Sequence, residues 1–62
     1  MNYKVESFGY WFIVNAPNKK KAYSEGVKEY GRGRVQKVSV AKDNDMRIYI
    51  RDKGVKAIEI LN

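Results

Sequence analysis

Residues 10–14 read Tyr10-Trp11-Phe12-Ile13-Val14, apolar at every position, and no longer apolar run occurs in the chain. In a β-strand successive side chains point to opposite faces of the sheet, so a strand of this composition needs cover on both. The one clear helical pattern downstream, residues 18–30, covers only one face. The second face must close on itself, meet another copy of the chain or hold a ligand. This requirement limits the folds open to the sequence and directs attention to a binding surface.

The remaining pattern is that of a small α+β domain occupying residues 1–62. Residues 3–7 alternate Tyr3, Val5, Ser7 against Lys4, Glu6, the period of a short edge strand with one wet face. Phe8-Gly9 forms a tight turn into a central strand over 10–15; if it is a bulge instead, the two strands merge into one bent strand. Pro17 ends that strand and Asn18 is placed to cap a helix. Ala22, Tyr23, Gly26, Val27 and Tyr30 fall on one helical stripe, opposite Lys21, Ser24, Glu25 and Lys28. A glycine in that stripe costs about 1 kcal/mol relative to alanine, offset if it lets the helix approach the sheet closely. Gly31 then stops the helix.

From Val35 the period is two, which predicts strands over 35–40, 46–51 and 55–61. Asp43-Asn44 turns between the first pair, and Asp52-Lys53-Gly54 between the second. The expected fold is therefore a single antiparallel sheet of four to five short strands with one helix packed on one face, in the order β-β-α-β-β-β.

Sixty-two residues lie near the lower limit for folding without covalent staples, and there is no cysteine to supply them. Disulfides, thiolate metal sites and thiol nucleophiles are thereby excluded. The absence of histidine removes the commonest general base near neutral pH, so an enzyme is not expected. No run approaches the roughly 20 apolar residues of a membrane span, and the first residues lack the apolar core of a signal peptide. The expectation is a cytoplasmic protein with no membrane partner and no cofactor.

Charge carries the strongest hint of a partner. Thirteen Lys and Arg stand against seven Asp and Glu, a net charge of +6. Between Lys19 and Lys37 there are seven basic residues and two acidic ones, which concentrates the excess in under a third of the chain. A balance of this kind draws polyanions by long-range attraction. Lys19, Lys20 and Lys21 fall in the first helical turn, the unfavourable end of the helix dipole for cations, and phosphate contact would explain their tolerance. Lys28 follows on the helix. In Gly31-Arg32-Gly33-Arg34 the glycines expose backbone N–H groups while Arg32 and Arg34 offer planar forks for phosphate. The spacing is not that of a P-loop, and a plain helix stop with a flexible link accounts for the glycines more simply.

On the strand expected at 46–51, Arg47, Tyr49 and Arg51 share one face, an arrangement suited to stacking on unpaired bases. Asp43, Asn44 and Asp45 carry oxygen ligands but lack the spacing of an EF-hand, and turn chemistry is the better account of them; no metal site is expected.

Residues 10–14 with Ala16, Lys20-Lys21-Ala22, Gly26-Val27 and Tyr30-Gly31-Arg32-Gly33 resemble small uncharacterised proteins encoded by phages and prophages of Gram-positive bacteria. The likeness spans residues 3–40 and rests mostly on strand and helix patterning. It carries over no functional residue. It implies a context in which a small chain binds nucleic acid or disables a host protein.

The reading is a non-enzymatic nucleic-acid-binding module, for DNA or RNA, with Lys19, Lys20, Lys21, Lys28, Arg32 and Arg34 on phosphates and Arg47, Tyr49 and Arg51 on the sheet face. The alternative is a protein-binding module, an inhibitor of a host protein or a homodimer, using Tyr10, Trp11 and Phe12.

Overall fold

The computed structural model describes residues 1–53 of the chain. They run β1 (Asn2–Glu6), β2 (Trp11–Asn15), α1 (Lys19–Tyr30), β3 (Lys37–Val40) and α2 (Asp43–Lys53). The architecture is α+β, a three-stranded antiparallel sheet ordered β2-β1-β3 with two helices. The strand expected over 55–61 lies outside the described residues. None of the described helices is long and apolar enough to cross a membrane.

β1, expected at an edge, is the central strand, and the doubly apolar β2 lies beside it on one side only. A central position asks for a backbone paired on both sides, whereas face polarity is set by what lies above and below the sheet. β1 meets the first demand by pairing Tyr3 with Val14 and Val40, and Val5 with Phe12 and Val38. The hairpin between β1 and β2 closes as expected at Phe8-Gly9, with the Ser7 N–H donating to the Tyr10 carbonyl at 2.8 Å.

α1 begins and ends where the sequence indicates. The Asn18 side chain accepts from the Lys21 N–H at 2.9 Å, and the Gly31 N–H returns to the Val27 carbonyl at 2.8 Å. The helix packs on the face formed by Tyr3, Val5, Phe12, Val14 and Val38, with Ala22 and Tyr30 against it. Val5 and Ala22 are fully buried. Phe12 and Tyr30 meet edge to face with ring centroids 5.5 Å apart, a contact worth about 0.5–1.5 kcal/mol beyond its area. Gly26 lies at the closest approach of helix and sheet. A Cβ there would come within 2.7 Å of Val5 Cγ1 and 2.9 Å of Val35 Cγ2.

The largest correction concerns residues 43–53, which form a helix where a turn and a strand over 46–51 were expected. The Asp45 carboxylate accepts the Lys42 N–H at 3.1 Å, and the Met46 N–H donates to the Lys42 carbonyl at 3.0 Å. This is the reach-back half of a capping box. Asp43 and Asp45 also lie in the first turn, at the positive end of the helix dipole. Asp43-Asn44-Asp45 thus starts a helix instead of tipping a hairpin.

α2 crosses the sheet face opposite α1. Lys4 Nζ lies 3.2 Å from Asp45 Oδ1, the Asn2 amide donates to Met46 Sδ at 3.7 Å, and the Trp11 and Tyr49 rings are 5.5 Å apart. The second face of the apolar strand is therefore covered from within: Ile13 is buried and Trp11 half-buried. The uncovered aromatic sheet face expected from the sequence is absent among the described residues.

Candidate nucleic-acid interface

The structure divides the basic residues into groups by element. Lys19 and Lys20 open α1, and the chain returns beside them as residues 35–38 after the turn at 31–34. Between the two segments lies a groove of about 420 Å³, lined by Lys19, Lys20, Tyr23, Val35, Gln36, Lys37 and Val38. Its volume falls within the roughly 300–1,000 Å³ of small-ligand clefts. Lys19 and Lys20 border an apolar floor there, and no carboxylate belongs to the lining among the described residues. Lys37 reaches the groove through the strand itself, since it alternates with the inward Val38 and projects to the other face of the sheet, among Lys4, Glu6 and Asp45. None of the three lysines forms an ion pair within the described residues.

Local structure explains why this groove is open. α1 is centred on its smallest residues, Ala22 and Gly26, which are buried against the sheet. Tyr23 is about 100° around the helix from Ala22 and so leaves the core side of the stripe; it is 47% exposed. The expectation that Tyr23 belongs to the buried stripe is corrected accordingly. Lys19 and Lys20 precede Tyr23 by four and three positions, the spacing of neighbours on one helix flank. Val35 is drawn towards Gly26, which keeps residues 35–38 alongside the helix.

The other expected contacts are dispersed. Lys21 is exposed beside the groove without lining it, and its N–H is held by the Asn18 cap. Lys28 faces Glu25 at 3.4 Å in an exposed pair, a contact that adds little. Arg32 and Arg34 are exposed at the far end of α1, about 18 Å from its start for a helix of this length. There Gly33 takes φ +80° and the Arg34 N–H returns to the Gly31 carbonyl at 3.2 Å. A tight turn with a glycine third in line accounts for the Gly-Arg-Gly-Arg sequence without an anion.

The Arg47-Tyr49-Arg51 face does not exist. On a helix Arg47 and Tyr49 are about 200° apart: Arg47 is exposed, Tyr49 packs against Trp11, and Arg51 falls one turn after Arg47.

A second cleft, of about 240 Å³, is lined by Tyr10, Trp11, Phe12, Glu29, Tyr30 and Tyr49. Burial, with Glu29 and Tyr49 nearby, pushes the Tyr30 hydroxyl pKa above its ordinary value. Of the three residues expected at a protein interface only Tyr10 is strongly exposed, at 67%, and Phe8 joins it at 64% on the hairpin tip. Trp11 lies under Lys4, whose ammonium is 4.8 Å from the ring centre, and against Tyr49.

Near Asp45 the charges are mixed. Lys4 Nζ stands 3.2 Å from Asp45 and 3.9 Å from Glu6, and the hydrogen bond from the Lys42 N–H, followed by that from Lys4, holds the Asp45 pKa below its usual value despite partial desolvation. This neutralised cluster serves to dock α2. No grouping of potential metal ligands occurs among the described residues.

Tyr23, Val35, Gln36, Lys37 and Val38 were not singled out in the sequence as site residues. The available signal was the pairing of Lys19 and Lys20 with an aromatic residue one helical turn later. No family model, curated protein or solved structure matches the chain.

Proposed function

We propose that this chain is a non-enzymatic module that binds nucleic acid through the groove between α1 and β3. The observation that carries the reading is the lining of that groove: Lys19 and Lys20 border an apolar floor of Tyr23, Val35 and Val38, with no carboxylate in the lining among the described residues. Ammonium groups free of ion pairs are available to phosphates, and displacing the condensed counterions drives association. Lys21 beside the groove, and Arg32 and Arg34 beyond it, extend the positive field along the α1 side. Chemistry on the ligand forms no part of the reading, since the chain has neither histidine nor cysteine. A cytoplasmic setting, phage-derived or not, suits a basic, cysteine-free chain.

Titration of a labelled oligonucleotide against salt tests the reading. Three to five neutralised phosphates give a log–log slope of roughly −2 to −4. Replacing Lys19, Lys20 and Lys21 together by alanine is expected to reduce the magnitude of that slope by about 2. Absence of binding at ~50 mM salt, or a slope untouched by the triple substitution, contradicts the proposal.

One observation favours a second reading, a protein partner on the hairpin tip. Phe8 and Tyr10 flank Gly9 there, both about two-thirds exposed, and exposed aromatics are enriched at interfaces.

A further inference from the structure

The α1–β3 groove contains more than a phosphate site requires. Lysines on a helix end would reach a phosphate backbone without any cavity beside them. Here Lys19 and Lys20 border a depression lined by Tyr23, Val35, Gln36 and Val38. Tyr23 is a large aromatic left 47% exposed, although the helix has small residues at its buried centre and the Tyr23 hydroxyl has no hydrogen-bond partner among the described residues. Gln36 is held through its backbone, whose N–H donates to the Glu6 carbonyl at 2.7 Å. Its exposed side-chain amide has a donor and an acceptor both available.

From this combination we infer that the groove takes an unpaired nucleobase: Tyr23 stacks on the base, Val35 and Val38 exclude water from it, and Lys19 and Lys20, with Lys21 beside them, hold the flanking phosphates. The ligand class is then single-stranded nucleic acid. A base inside a duplex is stacked on its neighbours and presents no free face, whereas an unpaired base offers its π-face to an aromatic ring. Gln36 supplies hydrogen bonds to the base edge. The inference rests on the nucleic-acid reading and narrows it.

The test is fluorescence anisotropy with an oligothymidylate of about eight nucleotides, a blunt two-strand duplex of matched phosphate number, and polyglutamate as competitor. The proteins are the native chain, Tyr23→Ala, Tyr23→Phe and the Lys19/Lys20/Lys21→Ala variant. The native chain is expected to prefer the single strand. One stacked base, at ~1–3 kcal/mol, corresponds to an affinity loss of about 5- to 150-fold in Tyr23→Ala. The salt slope should stay unchanged in that variant, and Tyr23→Phe should recover most of the loss. Tyr23 is half-exposed, so both variants are expected to melt close to the native chain. If melting shows that Tyr23→Ala fails to fold, the preference of the native chain for single strand over duplex decides the matter.

Equal affinity for duplex and single strand, or a Tyr23→Ala variant that binds as tightly as the native chain, overturns the base-stacking inference while leaving a phosphate site in place. Polyglutamate competing as well as oligothymidylate also overturns it, in favour of an acidic peptide. Binding unaffected by loss of the three lysines removes the nucleic-acid reading itself, and the inference with it.

Discussion

Gly26 and Asp45 are single positions on which opposite faces of the sheet depend. At Gly26 an added methyl would stand 2.7 Å from a methyl of the fully buried Val5 and 2.9 Å from one of Val35. Valine has little χ1 freedom with which to withdraw. Overpacking of this kind costs about 1–3 kcal/mol, more than the helix-propensity gain of up to about 1 kcal/mol. Gly26→Ala is expected to lower Tm by several degrees in thermal melts; a higher Tm would mean that helix and sheet separate at no cost.

Asp45 joins the start of α2 to Lys4 on the sheet. Its pKa in the folded chain lies below the ordinary value of 3.8, chiefly through the Lys42 N–H. The ionised carboxylate therefore contributes stability that is fully present above pH ~4 and is lost as the pH falls through the folded pKa. Asp45→Asn should flatten the acid limb of the stability profile, followed by Trp11 fluorescence in urea at successive pH values. An acid limb identical in both proteins would show that Asp45 does not hold α2.

At the scale of elements, α2 is the feature that changes the account. It lies over the face on which Trp11 and Ile13 project, and Tyr49 is its aromatic contact with Trp11. Tyr49→Ala should shift Trp11 emission to longer wavelength while leaving α1 helical by NMR chemical shifts. An unchanged spectrum would mean that other groups shield the indole.

The sequence made α1 readable almost to the residue, because Asn18 and Gly31 are local signals that act through their own backbone neighbours. The hairpin at Phe8-Gly9 is local in the same way. Residues 46–51 were ambiguous on pattern alone. Ile48 and Ile50 alternate with Arg47, Tyr49 and Arg51 as a strand would, yet Met46 and Tyr49 are also three apart on a helix. Asp45 resolves the ambiguity by capping Lys42, and its Lys4 partner is 41 positions away in the chain. The strand order was hidden for a related reason: five consecutive apolar residues reveal two covered faces but say nothing about how many edges are paired. In the candidate site Lys19 and Lys20 were legible from charge and position. Tyr23 was not, since its place beside Val35 and Val38 depends on how closely Gly26 lets residues 35–38 return.

For the whole molecule, the net charge of +6 is distributed unevenly in kind as well as in place. On the α2 face Lys4 and Lys37 lie among Glu6 and Asp45, with Lys4 paired to both, while Lys19 and Lys20 at the α1–β3 groove have no acidic neighbour in its lining among the described residues. A polyanion should therefore settle on one side of the sheet. Backbone amide chemical-shift mapping during titration with oligothymidylate tests this most directly. The account predicts that the perturbed residues cluster at 19–23 and 35–38, with β1 and the start of α2 unaffected. Shifts centred on the Phe8–Tyr10 tip or on α2, with the groove silent, would contradict it.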